Sequence, residues 1–168
     1  IGVRLVGSEM CIRDRISPAE IVINLVGILA PSGQQTFSAL QAELPARIGR
    51  MAKEAGCHQI VHVSALGAKL KSQSTYARTK AEGERGLLRQ FPDAVIMQPS
   101  IIFGPGDNFF NRFGQMAMFS PALPLIGGGT SLMQPVYVGD VADAVLAALI
   151  MEEAKGKIYQ LGGPQTYS

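Results

Sequence analysis

The stretch IVINLVGIL, Ile21–Leu29, is apolar and largely β-branched at both odd and even positions, interrupted by Asn24 and Gly27. A strand with one wet face alternates apolar and polar residues. A run apolar on both faces predicts instead a strand covered above and below, as in a parallel sheet between helices. The rest of the chain is consistent with that choice. Gln59–Ala65 (QIVHVSA) and Ala94–Gln98 (AVIMQ) read as two further strands, the latter ended by Pro99, and Lys157–Leu161 (KIYQL) reads as a last one.

Helical periodicity fills the intervals. Phe37, Leu40, Leu44, Ile48, Met51 and Ala55 recur every three or four residues. Pro45 within that pattern either opens a second helix at its first turn or kinks a single one, and Gly56 is a plausible stop. Ser74 is placed as the N-cap of a helix running to about Gln90. Phe103–Asn111 is a turn-rich loop, followed by a helix near Phe110–Phe119. Leu125–Ile126, Gly127–Gly129 and Leu132–Val138 suggest a strand pair or a bent strand. Asp140 is expected to cap a helix whose apolar face is Val141, Val145, Leu146 and Leu149. Strand and helix in alternation imply an α/β fold with a parallel sheet, flanking helices and right-handed crossovers.

Composition narrows the function classes. At 168 residues the chain has one domain's length, and 47% hydrophobic against 17% charged residues excludes a disordered chain. A net charge of +2 is too small to indicate a nucleic-acid binder. Cys11 and Cys57 cannot form a disulfide framework, which points to a reducing compartment. The longest apolar stretch, Ile21–Ala30, is too short for a transmembrane segment, which needs about 20 residues. Leu5–Arg15 (LVGSEMCIRDR) has no helical or strand period and no apolar signal-peptide core. It resembles the translation of a sequencing-adapter remnant, with a natural amphipathic lead-in as the alternative. Residues 1–15 are therefore expected to be a non-native leader to a domain at 16–168.

Tyr76 and Lys80 carry the clearest chemical signal. Four residues apart in YARTK, they share one face of a predicted helix. A neighbouring ammonium stabilises phenolate, so the pair is expected to lower the tyrosine pKa and to exchange a proton with a substrate oxygen, while the lysine also reaches a cofactor ribose. Ser64, at the C-terminal end of a predicted parallel strand, lies where ligands of open α/β sheets bind. The plain alternative is that all three are inert surface residues. Asn108 and Arg112 follow a strand end and suit a polar substrate or a solvated loop equally. His58 and His62 read as structural histidines rather than metal ligands, Cys57 as a packing residue, and Glu82 and Glu84 as solvated charges. Gly127–Gly129 precede a strand, so they read as a turn. No G-x-G-x-x-G phosphate loop occurs in the chain.

Four segments, VSALGA (63–68), YARTKAEGE (76–84), QPSIIFGPGDNFFNRF (98–113) and QPVYVGDVADA (134–144), resemble the extended and atypical short-chain dehydrogenase/reductases, the NAD-dependent epimerase/dehydratase type. The likeness is greatest to the branch containing the dehydrogenase-like accessory subunit of respiratory complex I and its bacterial relatives. INLVGIL (23–29) and YQLGGPQTYS (159–168) are also similar to it. The resemblance implies a Rossmann fold binding NAD(P)(H), with NADPH slightly favoured. It places Ser64, Tyr76 and Lys80 at the catalytic positions. Gly27 falls where the backbone passes the adenine-side ribose, and Pro99, Ser100, Ile101 and Ile102 where it meets the nicotinamide. No metal is implied.

The same resemblance expects strands and a glycine-rich loop before Ile21 and a substrate segment after Ser168, so the domain is read as a partial Rossmann fold truncated at both ends. Two classes of function follow. One is a nucleotide-binding subunit whose NADPH is structural, with partners in respiratory complex I or quinone-pathway proteins. The other is an NAD(P)-dependent oxidoreductase or sugar-nucleotide epimerase acting on a small molecule. Either implies the bacterial cytoplasm, the first at the periphery of the inner membrane.

Overall fold

The computed structural model describes Ile16 and residues 19–107, 109–119 and 132–167; the leader at 1–15 and the expected turn at Gly127–Gly129 lie outside them. Four parallel strands form the sheet: β1 (Ile21–Asn24), β2 (Gln59–Val63), β3 (Val95–Pro99) and, at the far edge, a strand from Ile158–Leu161. Two short strands, β4 (Ile102–Phe103) and β5 (Val136–Tyr137), pair separately, which makes Ile158–Leu161 β6 and the main sheet order β1-β2-β3-β6. The helices are α1 (Leu44–Glu54), α2 (Thr75–Gln90), α3 (Phe110–Phe119) and α4 (Val138–Ile150).

The period-2 geometry of strands sorts the core into two layers. Ile60 and Ile96 face α1 and α2, packing with Leu44, Ile48, Met51, Ala52 and Leu87. Val61, Val95 and Met97 face the other way, onto Val145 and Ala148 of α4. β2 and β3 are thus buried on both faces.

β1 departs from expectation. It ends at Asn24, short of the end of the apolar run at Leu29, and Ile21 and Ile23 are 44% and 43% exposed. Asn24 Oδ1 accepts the Val26 N–H at 3.1 Å, a local side-chain bond that competes with the ladder and ends the strand. β1 is also an edge among the described residues, so one row of its backbone groups has no strand partner there.

Pro45 resolves the two readings of the first helical region. The segment Ser38–Glu43 is wound wide: the Leu44 N–H bonds Ala39 C=O, five residues back, before α1 begins with Pro45 in its first turn. Proline has no N–H to offer the Gln41 carbonyl four residues earlier. That carbonyl instead lies against Gly83 of α2, where any Cβ would overlap it. Ser74 caps α2 as predicted, its Oγ accepting the Ala77 N–H at 3.4 Å.

α4 corrects a second expectation. It begins at Val138 with Tyr137 in the cap position and no side-chain cap bond, so Asp140 lies inside the first turn. Its buried face is Val141, Val145 and Ala148, while Leu146 is 57% exposed. The expected strand near Leu132–Val138 is β5, preceded by an isolated antiparallel bridge between Met133 and Tyr167. Among the described residues no helix is long and apolar enough to cross a membrane.

Candidate functional site

Asn24, His62, Ser64, Gln98 and Gln160 cluster at the C-terminal ends of the parallel strands, where ligands of open α/β sheets bind. Over this band lies α2, with Tyr76 in its first turn and Lys80 and Glu84 one and two turns on.

Tyr76 is half-buried, its ring edge-on to Phe37 with centroids 6.0 Å apart. Burial raises the phenol pKa. The expected lowering by Lys80 is not realised, because the lysine is engaged elsewhere: its Nζ lies 3.5 Å from the Val63 carbonyl. Lys80 is only 4% exposed, and burial lowers its pKa while the Glu84 charge opposes that. A Cβ on Gly27 would stand 3.1 Å from Lys80 Nζ. Gly27 therefore lets the backbone and the ammonium approach closely. Gln41 fastens this arrangement: its Nε2 donates to the Ile28 carbonyl at 2.6 Å and its Oε1 accepts from Thr79 Oγ1 of α2 at 2.9 Å.

His62 is buried and neutral. Asn24 Nδ2 donates to its Nδ1 at 2.9 Å, which leaves the proton on Nε2, an atom with no hydrogen-bond partner among the described residues. Burial first, and the Lys80 charge second, push its pKa down to about 3, against a smaller opposing contribution from the Asn24 backbone. Ser64 is also buried, and its Oγ has no hydrogen bond of ordinary geometry among the described residues, though it stands close enough to stabilise the Glu84 carboxylate.

Glu84 overturns its reading as a solvated charge. It is 6% exposed, and its two carboxylate oxygens accept from Gln98 Nε2 at 2.9 and 3.1 Å. Burial raises its pKa, while Ser64, Gln98 and Lys80 lower it. Periodicity alone misplaced it: Glu84 lies on the helix face of Lys80, four residues on, and that spacing was the available signal.

The structure brings Gly27 and Lys80 together, and places Ser64 in the layer beneath α2. Pro99–Ile102 leaves the end of β3 with much of its backbone already engaged. The Pro99 carbonyl accepts from Leu66 N–H at 2.8 Å, Ser100 N–H donates to Leu161 at 2.8 Å, and the Ile101 carbonyl accepts from Val136 at 2.9 Å. Asn108 and the Arg112 side chain lie outside the described residues. Sequence reading missed Asp107, whose Oδ1 caps α3 by accepting the Phe110 N–H at 2.6 Å. A groove of about 640 Å³ runs behind the site, with Leu70, Ala81, Leu88 and Ile158 among its lining and Lys69, Lys71, Arg85 and Arg89 also along it. It touches Glu84 but neither Tyr76 nor Lys80, so it is not where the sequence-read site faces. No group of three or more potential metal ligands occurs among the described residues.

The family model of the NAD-dependent epimerase/dehydratase family matches residues 15–162. The chain belongs to that family. Curated relatives include NADH dehydrogenase (ubiquinone) 1 alpha subcomplex subunit 9, mitochondrial, of Mus musculus, 38% identical over 157 residues. That alignment covers 93% of this chain and 41% of the relative. Another relative is the ceramide reductase of Caulobacter vibrioides, 32% identical over 135 residues, covering 80% of this chain and 42% of the relative. The chain thus spans less than half the length of either relative. Among solved structures, dTDP-glucose 4,6-dehydratase from Streptomyces venezuelae with NAD and TYD bound superposes with a TM-score of 0.82 at 18% identity. That match covers 95% of this chain and 56% of the other. UDP-glucuronic acid 4-epimerase from Bacillus cereus in complex with NAD also gives 0.82 at 18%, over 96% of this chain and 60% of the other. At that identity the likeness establishes the Rossmann-like α/β fold.

Proposed function

We propose that the chain holds NAD(P)(H), with a slight preference for NADPH, as a largely structural ligand in a protein of the complex I accessory-subunit type. Such a protein serves respiratory-chain assembly or quinone metabolism in the bacterial cytoplasm, at the periphery of the inner membrane. The residues present fit the ribose-contacting and nicotinamide-contacting positions of a dinucleotide. Gly27 leaves room for a close backbone approach beside the Lys80 ammonium. Tyr76 lies on the same helix, and Pro99, Ser100, Ile101 and Ile102 leave the adjoining strand end. When bound, the nucleotide supplies hydride chemistry. The chain's own residues would bind and orient it: Lys80 through the ribose hydroxyls, Tyr76 through its phenol as a donor.

The observation that carries the structural over the catalytic role is the direction of Lys80. Its ammonium is turned to the Val63 carbonyl, and burial raises the Tyr76 pKa. A phenol above its ordinary pKa donates a hydrogen bond well and accepts a proton poorly. The mouse relative, by name a subunit of NADH dehydrogenase, supports the same reading. The test is titration of the full-length protein with NADPH and NADH, followed by incubation with quinones and carbonyl compounds. Tight binding without nucleotide turnover is the expected result.

A second reading has its own support. Ser64, Tyr76 and Lys80 are all retained, and a bacterial relative is by name a reductase. In that reading the three act on a carbonyl or carbinol oxygen, with Asn108 and Arg112 toward the substrate. Steady NADPH oxidation by a carbonyl or quinone would replace the first reading with this one. Failure to bind either nucleotide would refute both.

A further inference from the structure

Two buried charges of opposite sign lie in the layer between α2 and the sheet, and the nucleotide-binding reading uses only one of them. Lys80 and Glu84 are 4% and 6% exposed, four residues apart on α2. That spacing places their Cβ atoms about 5–6 Å apart on one helix face. Neither forms a direct ion pair among the described residues. The Glu84 carboxylate is held from the other side. Gln98 on β3 donates to both its oxygens, and Gln98 Oε1 in turn accepts from Gln160 Nε2 of β6 at 3.4 Å. Gln98 and Gln160 are register partners across β3 and β6. The carboxylate is therefore fixed by two strands and cannot swing out to water as a surface glutamate would.

Leaving a carboxylate or an ammonium buried and uncompensated is costly, and an opposite charge one helical turn away is what offsets it. We propose that Glu84 is a positioning residue of the nucleotide site. Its carboxylate, oriented by Gln98 and Gln160, is the buried counter-charge that keeps Lys80 an ammonium beside Gly27. The inference rests on the reading of Lys80 as the ribose-facing residue. The other titratable or charged groups around the pair are Tyr76 on α2, His62 on β2, and Lys69, Lys71, Arg85 and Arg89 along the groove behind Glu84. His62 is neutral, and of the charged groups named it is Lys80 that acts on the Glu84 carboxylate. Burial lowers the Lys80 pKa, with Glu84 the charge that raises it, and Lys80 is the cation that lowers the pKa of Glu84.

The coupling is read directly in the full-length protein by NMR of the Lys80 13Cε and the Glu84 13Cδ against pH. Glu84→Gln preserves shape and an acceptor for Gln98 but removes the charge. It should lower the Lys80 titration midpoint by about one pH unit or more. Glu84→Asp, which keeps the charge, should restore most of the difference. The pH at which NADPH affinity is half lost should move down by the same interval as the Lys80 midpoint. If Glu84→Gln fails to fold, Lys80→Met supplies the reciprocal measurement: the Glu84 midpoint should rise by about one unit or more, because coupling between two sites is mutual. A Lys80 midpoint unmoved by Glu84→Gln, or a Glu84 midpoint unmoved by Lys80→Met, overturns the proposal. Neither NMR titration needs bound nucleotide. A protein that binds no NADPH yet shows the shifts would refute the nucleotide reading and leave the counter-charge intact.

Discussion

Gly83→Ala is the sharpest test of how the site is assembled. Gly83 lies in the middle of α2, where alanine would ordinarily favour the helix by about 0.8–1.0 kcal/mol. Here the added Cβ would overlap the Gln41 carbonyl oxygen, with Pro45 Cγ at 3.0 Å and Gln41 C at 3.1 Å. These neighbours are backbone and a proline ring, which cannot turn aside as a flexible side chain does. Overpacking of this kind costs roughly 1–3 kcal/mol, and a clash with backbone belongs at the upper end. Subtracting the propensity gain leaves a net loss of about 2 kcal/mol. With a urea slope of about 2 kcal/mol per molar, the unfolding midpoint should fall by about 1 M.

The damage should also reach the site. Gln41 links the Ile28 carbonyl to Thr79, so pushing the wide turn off α2 loosens Gly27 from Lys80. Gly114→Ala in α3 is the control: a Cβ there meets nothing within 4 Å among the described residues, so the substitution should be neutral or stabilising. Equilibrium urea unfolding of the two variants and the parent decides the matter. A Gly83→Ala protein as stable as its parent would refute the close approach of α2 to the Pro45 turn.

Other expectations concern protonation, chemistry and capping. His62 is neutral when folded, with a pKa pushed down to about 3, whereas the unfolded chain protonates near 6.5. The unfolded state therefore binds the extra proton, so this contribution is fully present above about pH 6.5 and is lost as pH falls toward 3. Between pH 7 and pH 5 it amounts to about 2 kcal/mol, measurable as the difference in pH dependence between the parent and a His62→Leu variant. Parallel pH profiles would contradict a buried neutral histidine. Tyr76→Phe in the full-length protein should leave NADPH affinity within a few-fold and abolish any turnover; turnover that survives would exclude the phenol from chemistry. Asp140→Asn should cost less than about 1 kcal/mol, the scale of a first-turn dipole interaction rather than a cap bond, as judged by thermal unfolding. A larger loss would point to a contact absent from α4 as described.

Much of the architecture was legible in the chain itself. Gln59–Val63 and Val95–Pro99 read as strands from their β-branched, apolar composition, and their alternation with helical segments implies a parallel sheet. Ser74, Pro45 and Gly56 carry local backbone preferences that act without help from distant residues. The YARTK spacing likewise places Tyr76 and Lys80 on one helix face from sequence.

Only the tertiary structure decided what those residues experience. Local spacing predicted a lowered Tyr76 pKa, but β2 presents the Val63 carbonyl to Lys80 and burial raises the phenol instead. Glu84 looks like any helix-surface acid until Gln98 and Gln160, some 14 and 76 residues away along the chain, close over it. β1 carries the composition of a central strand, yet it stops at Asn24 and lies at an edge among the described residues. The common reason is that hydrophobic periodicity records whether a face is covered, whereas desolvation, hydrogen-bond partners and the sign of a pKa shift depend on which distant groups do the covering.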